Sequence, residues 1–305
     1  MKNALHLYGE RKDIMEPKYI YYYDGSINKV DESTKSAVNK AYLKVKFAFG
    51  DNFTDGLIIN VASDFSNLPK NKSLMNNYLK KNESLFSATR GITTDDMQNR
   101  EIFIQESAFW TSKLGNLFST KLSFSADDEI EQATMHEFGH SFDHFYGGDK
   151  KLQAERQILI RKYGEKQFEE VDLLPEEEKI MIEYNKNNGY SDRKDFKEAL
   201  LKDLKVLKLN SGITTKFGYF LCEFYNRGLD VIPNANDIEL ADYSRSEVFA
   251  QLFSYAMSTD DGDKSEFVKI LPNTYKVVQE YINIQRGLKS FGPVFKTMSN
   301  ISGRH

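Results

Sequence analysis

The chain has 305 residues, a net charge of −4, and is 40% hydrophobic and 13% aromatic. That composition belongs to a folded protein with a sizeable core and argues against disorder. The acidic balance gives no electrostatic case for nucleic acid, no apolar run is long enough to span a bilayer, and the single Cys222 forbids an intrachain disulfide.

The first residues lack the apolar centre of a signal peptide. That start fits the cytosol, an unconventional route of secretion or a piece of a longer chain. Residues 1–18 are polar. Residues 18–23 are rich in β-formers and run into Asp24-Gly25, a strand closed by a turn. Asp31 or Ser33 is placed to cap a helix over 33–48, with Val38, Tyr42 and Val45 on one face and Gly50 past its end. Residues 57–62 read as a buried strand. Strand, helix and strand at this spacing predict an α/β layer. Residues 66–85 look like a solvated connection with one helical piece near 72–81. Residues 101–106 alternate as a strand does. Residues 107–124 hold the only tryptophan, Trp110.

The stretch 130–147 contains His136-Glu137-Phe138-Gly139-His140, an HExxH motif. Residues four apart share a helix face, so His136 and His140 can offer two imidazoles to one Zn²⁺, with Glu137 beside them to act on a water. Three of the five histidines, His136, His140 and His144, fall within nine residues. Ala133, His136, His140 and Phe145 follow a helical period, and Glu129 and Glu131 lie in the first turn, where the dipole favours acids. Ser125 or Asp127 is placed to cap the start, and Gly147-Gly148 to end it. His144 is a neighbour rather than a third ligand. A straight helix carries a third successive side chain past the metal, and Ser141-Phe142-Asp143 holds no glycine at which to leave the helix. The strand at 101–106 is a candidate edge for pairing with an extended substrate, against the plainer reading of an ordinary sheet strand.

Residues 149–210 are dense in Lys and Glu and read as a helical insertion with solvated charged faces. Leu152, Ile158, Leu159 and Tyr163 form one apolar stripe. Ile180, Ile182 and Tyr184 form another after Pro175, and Phe196, Leu200, Leu204 and Leu207 a third. Residues 217–228 are aromatic and stop at Gly228. Cys222 among them reads as a buried small residue, not a nucleophile. A helix beginning at Ser244 or Ser246 buries Phe249, Leu252, Phe253 and Ala256. Residues 264–288 are amphipathic around Pro272, and 290–305 read as a frayed end. A catalytic zinc takes a third protein ligand. Glu247 qualifies, with small Ala250 one turn on to permit close approach. Glu155, Glu165 and Glu223 compete with it, and Asp143 and Glu239 are candidates to orient the histidines.

The HExxH core with Asp143, the block Tyr243 and Glu247-Val248-Phe249-Ala250-Gln251-Leu252-Phe253, and Met257-Ser258-Thr259-Asp260 occur in an order that resembles the lethal-factor-like zinc metallopeptidases. That gluzincin group includes the catalytic domain of anthrax toxin lethal factor and the clostridial proline-proline endopeptidases. The resemblance covers about 90–150 and 238–288. It implies His136, His140 and Glu247 as ligands of one Zn²⁺ per chain, Glu137 as general base and Tyr243 as the oxyanion-stabilising tyrosine. Tyr243 stands closer to Glu247, and Glu247 farther from His140, than in lethal factor.

The fold expected is α+β and zincin-like: a small mixed sheet packed on the HExxH helix, with a mainly helical C-terminal part. Its divisions are an N-terminal α/β part (1–130) with the upstream edge strand, a metal-site part (131–288) and a tail (289–305). The metal-site part holds a charged insertion (149–235) and the third-ligand helix (244–257). The function expected is a secreted, toxin-like zinc metalloendopeptidase acting on a protein or peptide, without nucleic acid or a membrane span. Two alternatives stand beside it. One is a catalytically inert toxin or adhesion module that binds a protein partner through a degenerate zincin domain. The other is a gluzincin of another branch with Glu155 or Glu165 as ligand.

Overall fold

A computed structural model describes residues 20–24, 29–68, 91–95, 100–106, 126–163, 172–186, 189–209, 242–257 and 271–299. These residues form a mixed α+β structure, mostly helical, around one small sheet. β1 (Ile20–Tyr23) leads through α1 (Glu32–Phe49) and the single turn α2 (Asp51–Thr54) to β2 (Leu57–Ala62), which pairs parallel to β1. Parallel pairing needs a crossover, and α1 supplies it. β3 (Gly91–Asp95) and β4 (Arg100–Gln105) complete the order β1-β2-β4-β3, with β4 parallel to β2 and β3 antiparallel to β4.

This order corrects the edge-strand expectation. The strand at 100–105 is interior, bonded on both sides, and among the described strands β3 occupies the edge instead. β3 escapes the sequence pattern because Gly91-Ile92-Thr93-Thr94-Asp95 offers one apolar residue between two turn-formers. The cap of α1 also differs from expectation. The Asp31 side chain makes no cap bond. Glu106, just past β4, accepts from Thr34 Oγ1 at 2.8 Å and from the Asp31 amide at 3.3 Å, placing a carboxylate at the positive end of the helix.

Side-chain alternation divides the sheet between two cores. Leu57, Ile59, Val61, Ile102 and Ile104 face the main core, while Ala62 and Phe103 join Phe65 and Leu68 behind the sheet. In front lies α3 (Ala126–Gly147), which carries the HExxH motif and packs on α1, β3 and β4. Its Phe142 sits at the centre of an aromatic cluster, 4.9 Å from Phe49 and from Phe253, so this helix is held from both sides.

The remaining helices are α4 (Lys150–Tyr163), α5 (Pro175–Lys186), α6 (Lys194–Leu209), α7 (Asp242–Met257) and α8 (Pro272–Ser299). Asp149 caps α4 through the amides of Lys151 and Leu152, so the chain turns at Gly148 and restarts. Two residues leave the predicted stripes: Ile158 and Ile182 are exposed, while Leu159 and Tyr184 are buried. α8 starts at Pro272 rather than passing around it, and it continues through residues read from sequence as a frayed end. Nothing in the described packing accounts for that continuation. The helical pieces expected near 72–81 and 217–228, and Trp110, lie outside the described residues. No helix among the described residues is long and apolar enough to cross a membrane.

Candidate metal centre

The site forms where α3 crosses α7. Gly139 makes the crossing close: a Cβ there would stand 2.6 Å from the Ala250 Cα and 2.8 Å from its carbonyl oxygen. Two small residues thus face each other where the helix backbones meet. Phe138 and Phe249, the residues just before the two, are each fully buried. Because His136 and His140 flank Gly139, and Glu247 and Gln251 flank Ala250, the crossing brings both sets of polar side chains together.

His136, His140 and Glu247 each place one ligand atom within 4.8 Å of the others. His136 Nε2 is 3.0 Å from one Glu247 oxygen and His140 Nε2 is 3.2 Å from the other. The two Nε2 atoms are themselves 3.2 Å apart, with the rings edge to face. The opposite ring nitrogens are also held: His136 Nδ1 lies 3.0 Å from Gln251 Oε1, and His140 Nδ1 lies 2.9 Å from Ser246 Oγ. An amide oxygen only accepts, so His136 donates from Nδ1 and, when neutral, turns the Nε2 lone pair inward. The Ser246 hydroxyl can donate as well as accept, so His140 can also present an Nε2 lone pair to the centre.

Burial alone would lower the His136 pKa, but the Glu247 hydrogen bond and charge outweigh it, and the value rises from 6.5 to about 9. Burial alone would raise Glu247, but the His140 and His136 imidazoles hold it well below the usual carboxylate range. The raised His136 and lowered Glu247 values are those of an ion pair between the two side chains. Two imidazole nitrogens and a carboxylate oxygen at these separations could hold a metal ion. The side chains remain 13–18% exposed, so solvent reaches the cluster.

Glu137 is buried, at 6% exposure, on the same helix between the two histidines. Tyr243 lies in the first turn of α7, and its side chain is outside the described residues. His144 is not among the clustered ligand atoms. Of the rival acids, Glu155 pairs with Lys151 at 3.6 Å on α4, and Glu165 and Glu223 lie outside the described residues. Glu239 does too. Asp143 bonds Ser191, through its amide at 2.8 Å and its hydroxyl at 2.6 Å, while Gln251 and Ser246 take the orienting positions at the histidines. Burial raises the Asp143 pKa despite the nearby His144 and the Ser191 bonds.

The sequence reading missed Gln251 and Ser246. Both were legible in principle: Gln251 stands one helical turn from Glu247 on the same face, and Ser246 directly precedes it. Neither a protein-family model nor a curated protein matches this chain.

Proposed function

We propose that the protein is a zinc-dependent endopeptidase with a zincin-like fold, of the lethal-factor-like kind its motif order resembles. The observation that carries this reading is the convergence of His136, His140 and Glu247, from two separate helices, within 4.8 Å. His136 and His140 would hold the ion through Nε2 and Glu247 through its carboxylate. When bound, a zinc ion supplies Lewis-acid polarisation of a water and of the scissile carbonyl.

The chain's own groups do the rest. The Glu137 carboxylate takes a proton from the attacking water as its oxygen bonds to the carbonyl carbon. Glu137 then passes the proton to the amide nitrogen as the C–N bond breaks, releasing a carboxylic acid and an amine, which exchange a proton to give carboxylate and ammonium. Gln251 and Ser246 keep the imidazoles turned inward, as such outer partners do at metal histidines. Tyr243 donates its hydroxyl to the carbonyl oxygen as charge develops there, a contribution of about 3–4 kcal/mol at comparable sites. With β4 interior, β3 becomes the edge on the α3 side where an extended peptide would pair. Secretion and a toxin role belong to the same resemblance.

The test is zinc stoichiometry together with chelator-sensitive cleavage of a peptide library. Wild type should hold one zinc and cleave. Glu137→Gln should keep the zinc and lose about 10²–10⁴-fold in turnover. A wild type that binds zinc and cleaves nothing would favour the inert binding module.

A further inference from the structure

The charged insertion reaches the metal centre at one short turn. Residues Tyr190–Asp192 form a 3-10 turn between α5 and α6. Each of its three residues is fixed to the helices that build the site. The Tyr190 ring stacks 5.8 Å from Phe142 of α3, 6.1 Å from Phe249 of α7 and 4.1 Å from Tyr281 of α8. The Ser191 amide and hydroxyl donate to Asp143 of α3. Asp192 accepts from Arg245 of α7 at 2.8 Å. Tyr190 and Ser191 are buried, as are Asp143 and Arg245, and the Asp192 side chain is 8% exposed.

Two glycines make this seating possible. A Cβ at Gly189 would meet the Asp143 carboxylate at 2.5 Å, and one at Gly147 would meet the Tyr190 amide at 2.0 Å. Gly139, Asp143 and Gly147 are spaced four apart, so one stripe of α3 receives Ala250 first and the turn next. Arg245 directly precedes Ser246, which holds His140, and stands two residues before Glu247. The turn therefore grips α3 one turn beyond His140, and α7 at the segment that delivers Glu247.

We infer that the Tyr190–Asp192 turn is a positioning element of the metal centre: by bonding Asp143 on one helix and Arg245 on the other, it sets the placement of Glu247 against His136 and His140. Arg245 and Asp192 are not in the ligand group and act through the placement of α7. The inference rests on the metal reading given above. Buried ion pairs are uncertain sources of stability and better attested as devices of registry. A pair that closes a helix crossing at a ligand has that form.

The experiment uses the full chain. Zinc affinity is measured by competition with a fluorescent chelator, and the Co²⁺-substituted protein is read by visible absorption. The set is wild type, Arg245→Met, Arg245→Lys, Asp192→Asn and the exposed control Lys194→Ala. Arg245→Met should weaken zinc binding about tenfold, the lower end for groups that orient metal ligands, and shift the cobalt bands. Arg245→Lys should recover part of the loss, because a point charge replaces a planar fork. Lys194→Ala should leave both readouts unchanged. Should Arg245→Met fail to fold, the near-isosteric Asp192→Asn carries the test. Folded Asp192→Asn or Arg245→Met with wild-type affinity and wild-type cobalt bands overturns the inference. If wild type itself binds no zinc, the metal reading fails and takes this one with it. If wild type binds and the variants match it, only this one fails.

Discussion

The insertion holds two helical segments of similar composition that meet the rest of the molecule differently. The α4–α5 pair packs chiefly on itself, and its buried Leu159 and Tyr184 belong to neither core cluster. Its polar links include Lys162 to Glu177 at 2.7 Å and Tyr163 to Glu177 at 2.8 Å, between the two helices. The Tyr190–Asp192 turn and α6 instead enter the main core: Tyr190, Phe196 and Leu200 are members, and Asp203 reaches across to α8. Charge density alone does not separate a helix that decorates the surface from one that builds the site. The partners of its few buried polar groups do.

Three measurements probe that contrast, in falling order of effect. Phe196→Ala should cost about 3–5 kcal/mol in denaturant unfolding, because a fully buried aromatic leaves a cavity where α6 meets Phe249. A loss below 1 kcal/mol would place α6 with the α4–α5 pair. Asp203→Ala comes next. Its carboxylate accepts from the Asn273 side chain and the Thr274 hydroxyl, and from the amides of both residues, so it caps α8 from another helix. Removal should cost about 2–3 kcal/mol and speed hydrogen exchange in the first turn of α8. Uniform exchange along α8 would contradict the cap.

The smallest effect is expected at Glu177. The Lys162 hydrogen bond, then the Leu174 amide, lower its pKa from 4.5. A carboxylate with a lowered folded pKa adds stability above its unfolded value and loses it as pH falls through the folded value. The difference between wild type and Glu177→Gln in exchange at the start of α5 should therefore be present at neutral pH. It should fade as pH drops below 4.5, leaving α6 unaffected. A pH-independent difference would remove charge from the account.

Much of this architecture was readable in advance. The strand at 57–62 and the helices beginning near 32, 175 and 194 follow from an apolar run, Pro175 and apolar stripes. The two histidines share a face by spacing alone, and Ala250 announced a close approach that Gly139 completes. What stayed hidden is long-range. Thr34 gives no sign that its partner is Glu106, and Asp143 gives no sign that it will hold Ser191 instead of a histidine. β3 stayed hidden because its five residues include a single apolar one, Ile92, while its pairing to β4 is a matter of backbone register. Local patterns report which face is apolar, whereas polar anchors are chosen by topology.

His136 and Glu247 stand 111 residues apart in sequence. The entropy of closing so long a stretch grows only with the logarithm of its length, so separation itself is a modest obstacle. Order of synthesis is the stricter one. A growing chain displays both histidines on α3 long before the carboxylate that completes their cluster exists, and the whole insertion must be made in between. Domains assemble as their last segments arrive. A nascent chain that stops short of Asp242 carries the motif without the triad, and on the proposed metal reading ion capture is a closing event of biogenesis.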